Sequence, residues 1–471
     1  MIRIFWLFVL LACSGFSQNK QILYGFDEIP QSNLLNPGNI VSHQWFVGAP
    51  LLSKIHTQFG MSKISVYDLF ADDGTDFNSK LRKAIYNMDS KDHFAINQQL
   101  EIISGGFAFG NYFEKDQYLS FGLYQETDVF IYFPKDYAIL AYEGNQSNIN
   151  RIFDLSHLNA KAELLSVFHV GYNKKLNKKL TVGARGKIYS SLMNFSSNNN
   201  SGTFVTVPGE NNYYDHIFDL NLTLNTSGAS SLLNDDNSDF SKDIKEIRNR
   251  ILFGGNLGLG FDIGFTYQPK DQWTLTGSLQ DIGFISHSKD IENYSLNGFY
   301  RFDGINPVFE ESQQGQSAEN YWNEIADEFE ELFTLKESTS KFTTWRPIKF
   351  NASLDYAYGK KVNKECNCLE EDTEYMNKVG IQIFSVNRPK STQFSATTYY
   401  YRRLIDQLRI KATYTVDSYS FTNLGLGLSA HLSNINFYFL VDNLLEFQNL
   451  AKAQSVSLQL GLNYIFKTNE N

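Results

Sequence analysis

Near the end of the chain the sequence reads SVSLQLGLNYIF, and its large apolar residues fall on every second position: Val456, Leu458, Leu460, Leu462, Tyr464 and Phe466. Ser455, Ser457, Gln459, Gly461 and Asn463 lie between them. A period of two defines a strand whose two faces meet different surroundings. In a soluble sheet the apolar face packs on a core. In a membrane-spanning barrel the assignment inverts, with apolar residues on lipid and polar residues facing a wet interior.

The same alternation recurs upstream. Ile435, Phe437, Phe439 and Val441 oppose Asn434, Asn436, Tyr438 and Asp442; Leu424, Leu426, Leu428, Ala430 and Leu432 oppose Gly425, Gly427, Ser429 and His431. Only Ser433 and Asn434 separate these two runs, the spacing of a tight hairpin. In the middle of the chain Leu257, Leu259, Phe261, Ile263, Phe265 and Tyr267 alternate with Gly258, Gly260, Asp262, Gly264 and Thr266, and Tyr267 and Trp273 bracket a short turn where an interfacial aromatic belt would lie. Charged residues stay on one face of each run, and hairpin follows hairpin at about ten residues per strand, the length that spans a bilayer. The inverted, lipid-facing arrangement fits this pattern better than a soluble sandwich, which breaks alternation with bulges and shelters its edges.

Composition agrees. Aromatic residues make up 15% of the 471 residues, with 39 Phe and 27 Tyr against 9 Pro, while the mean hydropathy is only -0.32. Alternating strands produce that combination; a helical membrane bundle does not. A net charge of -10 excludes nucleic acid as a partner, because phosphate binding requires a basic surface. The opening MIRIFWLFVLLACSGFSQNK has a basic head at Arg3, an apolar run from Ile4 to Cys13 and small residues before Gln18, which reads as a signal peptide over residues 1–17. Leu10-Leu11-Ala12-Cys13 also loosely resembles a lipoprotein box, although its second Leu is atypical there. Of the 3 cysteines, Cys13 leaves with the signal; Cys366 and Cys368 form a C-x-C pair, either a loop disulfide or two free thiols, with no further ligands nearby for a metal.

Counting backward from the last run gives about fourteen strands. Short turns then fall at one end and the long excursions 67–97, 134–159, 196–250 and 289–345 at the other, the exception being 360–374, which carries the C-x-C pair. The count requires NYSLNGFYRF to be an extension beyond the membrane. FNSKLRKAIYNM, FSKDIKEIRNRI and SAENYWNEIADEFEELFTL carry apolar residues at helical spacing, for packing on the barrel rim or for a greasy vestibule. The expected organisation is a signal peptide over 1–17, a plug-like segment over 18–50 and a barrel over 51–467.

Two segments carry a family resemblance: LLNPGNIVSHQWFVGAPLLSKIHTQFGMSKISVYDLF near the start and GFDIGFTYQPKDQWTLTGSLQDIGFI in the middle. They resemble the Bacteroidota outer-membrane proteins grouped as domain of unknown function 5723. Asn36-Pro37-Gly38 also looks like the Asn-Pro-Ala-Gly turn of FadL-type barrels such as the fatty-acid channel and the PorV shuttle of type IX secretion, and is similar to the Asn-Pro-Ala motif of PorP/SprF proteins. Gly38 stands where those families usually have Ala. The resemblance implies an all-β, 14-stranded FadL-like barrel in the outer membrane of a Gram-negative bacterium, with an N-terminal segment entering the lumen as a plug.

No G-x-S-x-G elbow, phosphate loop or H-E-x-x-H motif is present, so the expectation is a non-enzyme without cofactor or metal. The alternation places His169, Arg185, Lys187, Asp262, Arg409, Lys411, Asp417, His431 and Asp442 on the lumen face. Such a mixture of signs reads as a paired network around a plug, or as a polar lining that selects what passes. Two functions fit: a channel for small hydrophobic or amphipathic compounds, or a non-transporting partner or anchor in a surface-protein, secretion or gliding assembly. The expected partners are outer-membrane lipid, the barrel-assembly machinery and a hydrophobic small molecule or surface protein.

Overall fold

The final strand shows the inversion directly: Ser455, Ser457, Gln459 and Asn463 are buried inside, while Leu458, Leu460 and Tyr464 turn the other way. The computed structural model describes residues 21–110, 115–197, 199–209, 214–229, 249–302, 333–360, 375–417 and 419–466. The signal segment, the Cys366/Cys368 pair and the helical patterns over 240–248 and 317–332 lie outside the described residues.

Fourteen antiparallel wall strands close into a barrel. The first, β1, comes in two pieces, Trp45–Gly48 and Ile55–Met61. The next six are β2 (His93–Phe109), β3 (Gln117–Tyr132), β4 (Ala160–Asn177), β5 (Leu180–Ser197), β6 (Asn256–Lys270) and β7 (Trp273–His287). The remaining seven are β8 (Lys349–Lys360), β9 (Tyr375–Asn387), β10 (Thr392–Ile405), β11 (Leu408–Val416), β12 (Asn423–Leu432), β13 (Ile435–Asp442) and β14 (Ser455–Phe466). Each pairs with its chain neighbour, and β14 closes the ring on both pieces of β1, with Trp45 opposite Phe466 and Ile55 opposite Leu460.

Both pieces of β1 also pair with β2, so residues 45–48, expected within the plug-like segment, belong to the wall. The alternation hides them because 49–54 interrupts the strand: Pro50 has no N–H to donate and Leu51 takes a positive φ of 63°. On β6 the period of two is clean, with Leu257, Leu259, Phe261, Ile263, Phe265 and Tyr267 all exposed and Asp262 and Thr266 buried. In a closed barrel that outer surface is the one that meets lipid. Trp45 stacks on Phe466 with ring centroids 3.5 Å apart and Trp273 lies 5.0 Å from Tyr356 near the short-turn end, while Phe284 and Trp345 pair at 5.8 Å near the other. These are the two aromatic belts of a membrane-spanning barrel.

Beyond the wall, the long connections build a cap. Ile152–Asp154, Ser201–Pro208, Tyr214–Ser227, Ile291–Phe302 and Lys336–Ser338 pair in that order, and Asn194–Ser196 at the top of β5 joins them to the barrel. NYSLNGFYRF is thus an extension, as expected, whereas the two strands over 201–227 were not anticipated. Helices α1 (Val66–Phe70), α2 (Phe77–Asn87) and α3 (Lys135–Glu143) lie at this end. The α2 helix starts where the Asp76 side chain accepts from Ser79 N–H at 3.0 Å. Its Ile85 packs with Ile139 of α3 and with Phe153, Leu155, Phe204 and Leu220 of the cap.

Candidate functional site

The lumen is occupied by residues 21–44 of the same chain. Ile22, Leu23, Tyr24, Phe26, Ile29 and Leu35 form a core with Tyr401, Tyr438 and Leu440 of the wall. Each such fully buried side chain contributes about 1.5–3 kcal/mol relative to exposure. Apart from Gln44 the segment has no strand partners, and the carbonyls that its own turns leave unbonded need other donors. Wall side chains supply them: Asn173 Nδ2 donates to Pro37 O at 3.0 Å and Asn39 O at 2.6 Å, and Ser278 Oγ to Leu35 O at 2.7 Å. Arg185 donates to the carbonyls of Asn33 and Leu34, and Lys411 to that of Tyr24.

At the Asn36-Pro37-Gly38 turn, Asn36 Oδ1 accepts from Gly38 N–H at 3.0 Å while its Nδ2 donates to Phe265 O at 3.2 Å. A methyl group on Gly38 would run into the backbone of Gly264 and Phe265 on β6. The turn lies so close to the wall that Gly rather than Ala is required there.

All nine candidate residues are buried. Arg185 and Lys187 on β5 reach Asp262 on β6 at 3.1 and 2.9 Å. Arg409 approaches Glu28 of the interior segment at 3.3 Å, and Lys411 sits 4.0 Å over the Tyr399 ring. Asp417 accepts from Tyr419 N–H, Ser420 N–H and Asn423 Nδ2 on the long-connection rim. His169 packs beside Tyr124, with ring centroids 5.7 Å apart. His431 and Asp442 are buried on β12 and β13.

Further charged residues extend the cluster into a ladder across the lumen. Lys187 reaches Asp281 at 2.6 Å, and Lys349 on β8 joins Asp281 at 2.8 Å and Glu126 on β3 at 3.4 Å. Arg346 bridges Glu126 and Glu163, Lys161 pairs with Glu163 at 3.2 Å, and Arg388 with Asp128 at 2.6 Å. Strands β3 and β8 are not neighbours in the wall, so Lys349 and Glu126 tie opposite sides together.

Two cavities flank these contents. One of about 410 Å³, at the long-connection rim, has Lys161, Arg346 and Arg388 in its lining with Phe130 and Phe342, and among the described residues no carboxylate. The other, about 290 Å³ at the short-turn end, is lined by Asp27, Glu28, Asp271 and Asp355 with Lys378 and Arg403. Among the described residues the outer cavity thus has only cations in its lining, whereas the inner one has both signs with carboxylates in excess. Among the described residues no group of three or more His, Cys, Asp or Glu is placed to hold a metal ion.

Residues 37–442 match the family described as "Family of unknown function (DUF5723)". The chain belongs to that family. No curated protein matches the sequence. Among solved structures, this DUF5723 chain is similar to the Ralstonia pickettii toluene transporter TbuX at 10% identity, covering 97% of this chain and 100% of that one with a TM-score of 0.43. It is similar to a Pseudomonas aeruginosa FadL homologue at 9% identity, 96% and 100% coverage and a TM-score of 0.42. The P. putida toluene transporter TodX matches at 8% identity, 97% and 96% coverage and a TM-score of 0.40.

Within the DUF5723 barrel, the alternation pointed to Arg185, Lys187 and Asp262 but missed Asp281, the second partner of Lys187. A bulge explains this: Asp281 takes φ 58° and the β6–β7 register slips between Phe261 and Ile263. Gln280 and Asp281 are then both buried, which a strict period of two forbids.

Proposed function

We propose that this outer-membrane barrel is a gated channel for small hydrophobic or amphipathic compounds. Its long connections face the cell exterior and its short turns the periplasm, after export by the signal peptide and insertion by the barrel-assembly machinery. Residues 21–44 act as the gate. The observation that carries this reading is the pair of cavities on either side of the interior segment, one open to each end of the lumen's contents. Small-molecule sites of a few hundred Å³ with apolar walls and a few placed polar groups are the usual scale for such ligands. Much of the segment's attachment to the wall is by hydrogen bonds and ion pairs, such as Asp27 to Lys378 at 3.3 Å, which can exchange for water.

The test is solute entry into liposomes carrying the purified barrel. The full chain should exclude a pentose such as arabinose while admitting a naphthalene-sized amphiphile, and a variant lacking residues 21–44 should admit both. A deletion variant as tight as the full chain would remove the gate.

A second reading, a non-transporting anchor for a surface or secretion partner, is favoured by the apolar core that Ile22, Leu23, Tyr24 and Phe26 build inside the barrel and by the cap sheet. Under that reading neither solute enters the liposomes through the full chain.

A further inference from the structure

The cavity at the long-connection rim differs from the rest of the lumen in one respect. Its cations face it, while the carboxylates that balance them lie outside its lining. Arg346 is 4% exposed, yet its Nε and Nη2 hydrogens have no hydrogen-bond acceptor. Glu126 stands 3.4 Å from Nη2 but outside hydrogen-bonding geometry. These two nitrogens form one fork of the guanidinium, the edge that grips both oxygens of a carboxylate at once; in this conformation both are occluded from water. Arg388 Nε likewise has no acceptor, and the Arg388 guanidinium lies 4.6 Å over the Phe130 ring.

We propose that this cavity is a binding subsite for a small aromatic or short-chain organic carboxylate. Arg346 turns this fork from beside Glu126 toward the cavity to hold the carboxylate, Lys161 and Arg388 add positive potential, and Phe130 and Phe342 receive the apolar body. The singly charged form is specified because each cation already shares a protein carboxylate, so the remaining field suits one negative charge and not a phosphate dianion. The volume of about 410 Å³ accommodates a body of naphthalene size. Binding here stands independently of the channel reading, and only onward passage through the barrel rests on it; the subsite names the substrate class that the outer cavity would capture.

Calorimetric titration of the full chain in detergent with 2-naphthoate, and separately with uncharged 2-naphthamide, tests it. Saturable naphthoate binding is expected, with the amide about tenfold weaker or more, the difference a charge-assisted hydrogen-bond pair makes. Arg346→Gln should weaken naphthoate by a similar factor. Because that variant leaves Glu163 with Lys161 alone, Asn225→Trp, which fills the cavity without touching an ion pair, serves as the second variant and should abolish binding. Folding of each is checked by the heat-dependent gel mobility of the barrel. Equal affinity for acid and amide, unchanged binding in a folded Asn225→Trp barrel, or displacement of naphthoate by inorganic phosphate at matched concentration would each overturn the proposal. Binding without entry into liposomes would sink the channel alone; entry without binding would sink the subsite alone.

Discussion

At the short-turn end the lumen is filled by polypeptide, with Ile22, Tyr24, Phe26 and Leu35 packed against Tyr401, Tyr438 and Leu440. Toward the long connections it is filled by side chains reaching inward from the wall, with Lys349, Arg346 and Arg388 tied to Glu126, Glu163 and Asp128. Burying apolar chain contributes stability in proportion to area. Burying paired charges gains little net stability, but losing one partner leaves an uncompensated ion at large cost. The first half therefore closes the barrel, whereas the second holds a defined geometry around a cavity.

The largest effect should come from the residue that serves both halves. Arg185→Ala removes a partner of Asp262 and the donors to Asn33 and Leu34, and should cost about 3–5 kcal/mol. Urea unfolding would read it, with faster proteolysis within residues 21–44; an intact segment in the variant would detach that segment from the ladder. Next, Leu426→Arg on the lipid face should lower stability by about 2–4 kcal/mol without changing naphthoate affinity, since it touches neither half. Ser457→Arg, pointing inward where Ser457 is buried, should be no milder, because the lumen there is packed rather than wet.

A smaller effect belongs to Asp417, in the connection after β11. Burial pushes its carboxyl from 3.8 up to about 7, outweighing the Ser420 and Tyr419 N–H groups that favour the ionised form. A carboxyl with a raised folded pKa stabilises while protonated, so its contribution is complete below about pH 4 and is lost as pH rises through 7. Asp417→Asn should flatten that part of the stability profile; an unchanged profile would refute the assignment. The smallest change is expected from Asp27→Asn, which breaks the half-exposed pair with Lys378 at a cost of about 1 kcal/mol or less, and whose readout is the rate of arabinose entry into liposomes.

The wall was legible because lipid on one side and polar contents on the other impose a period of two on every strand, from Leu257–Tyr267 to Val456–Phe466. Where local geometry departs from that period, legibility ends. The interruption at Pro50 and Leu51 concealed Trp45–Gly48, and the bulge at Asp281 concealed a central partner of the ladder. The strands over 201–227 lie beyond the membrane and were read as loop. Cross-lumen pairs such as Lys349 with Glu126 depend on barrel closure and side-chain reach, neither of which a single strand encodes. The difference in charge between the two cavities has the same origin.

The pairing of Trp45 with Phe466 also dictates an order of events. The short-turn end of the wall can be sealed only once Asn463–Phe466 have arrived, and the stretch that occupies the interior is covalently tethered at that same seam. Removing Asn463–Phe466 would strip the β14 partner from Trp45–Gly48 while leaving Ser455–Leu460 on Ile55–Gly60, so the penalty would fall on the short-turn end of the seam, beside the point where the interior stretch begins.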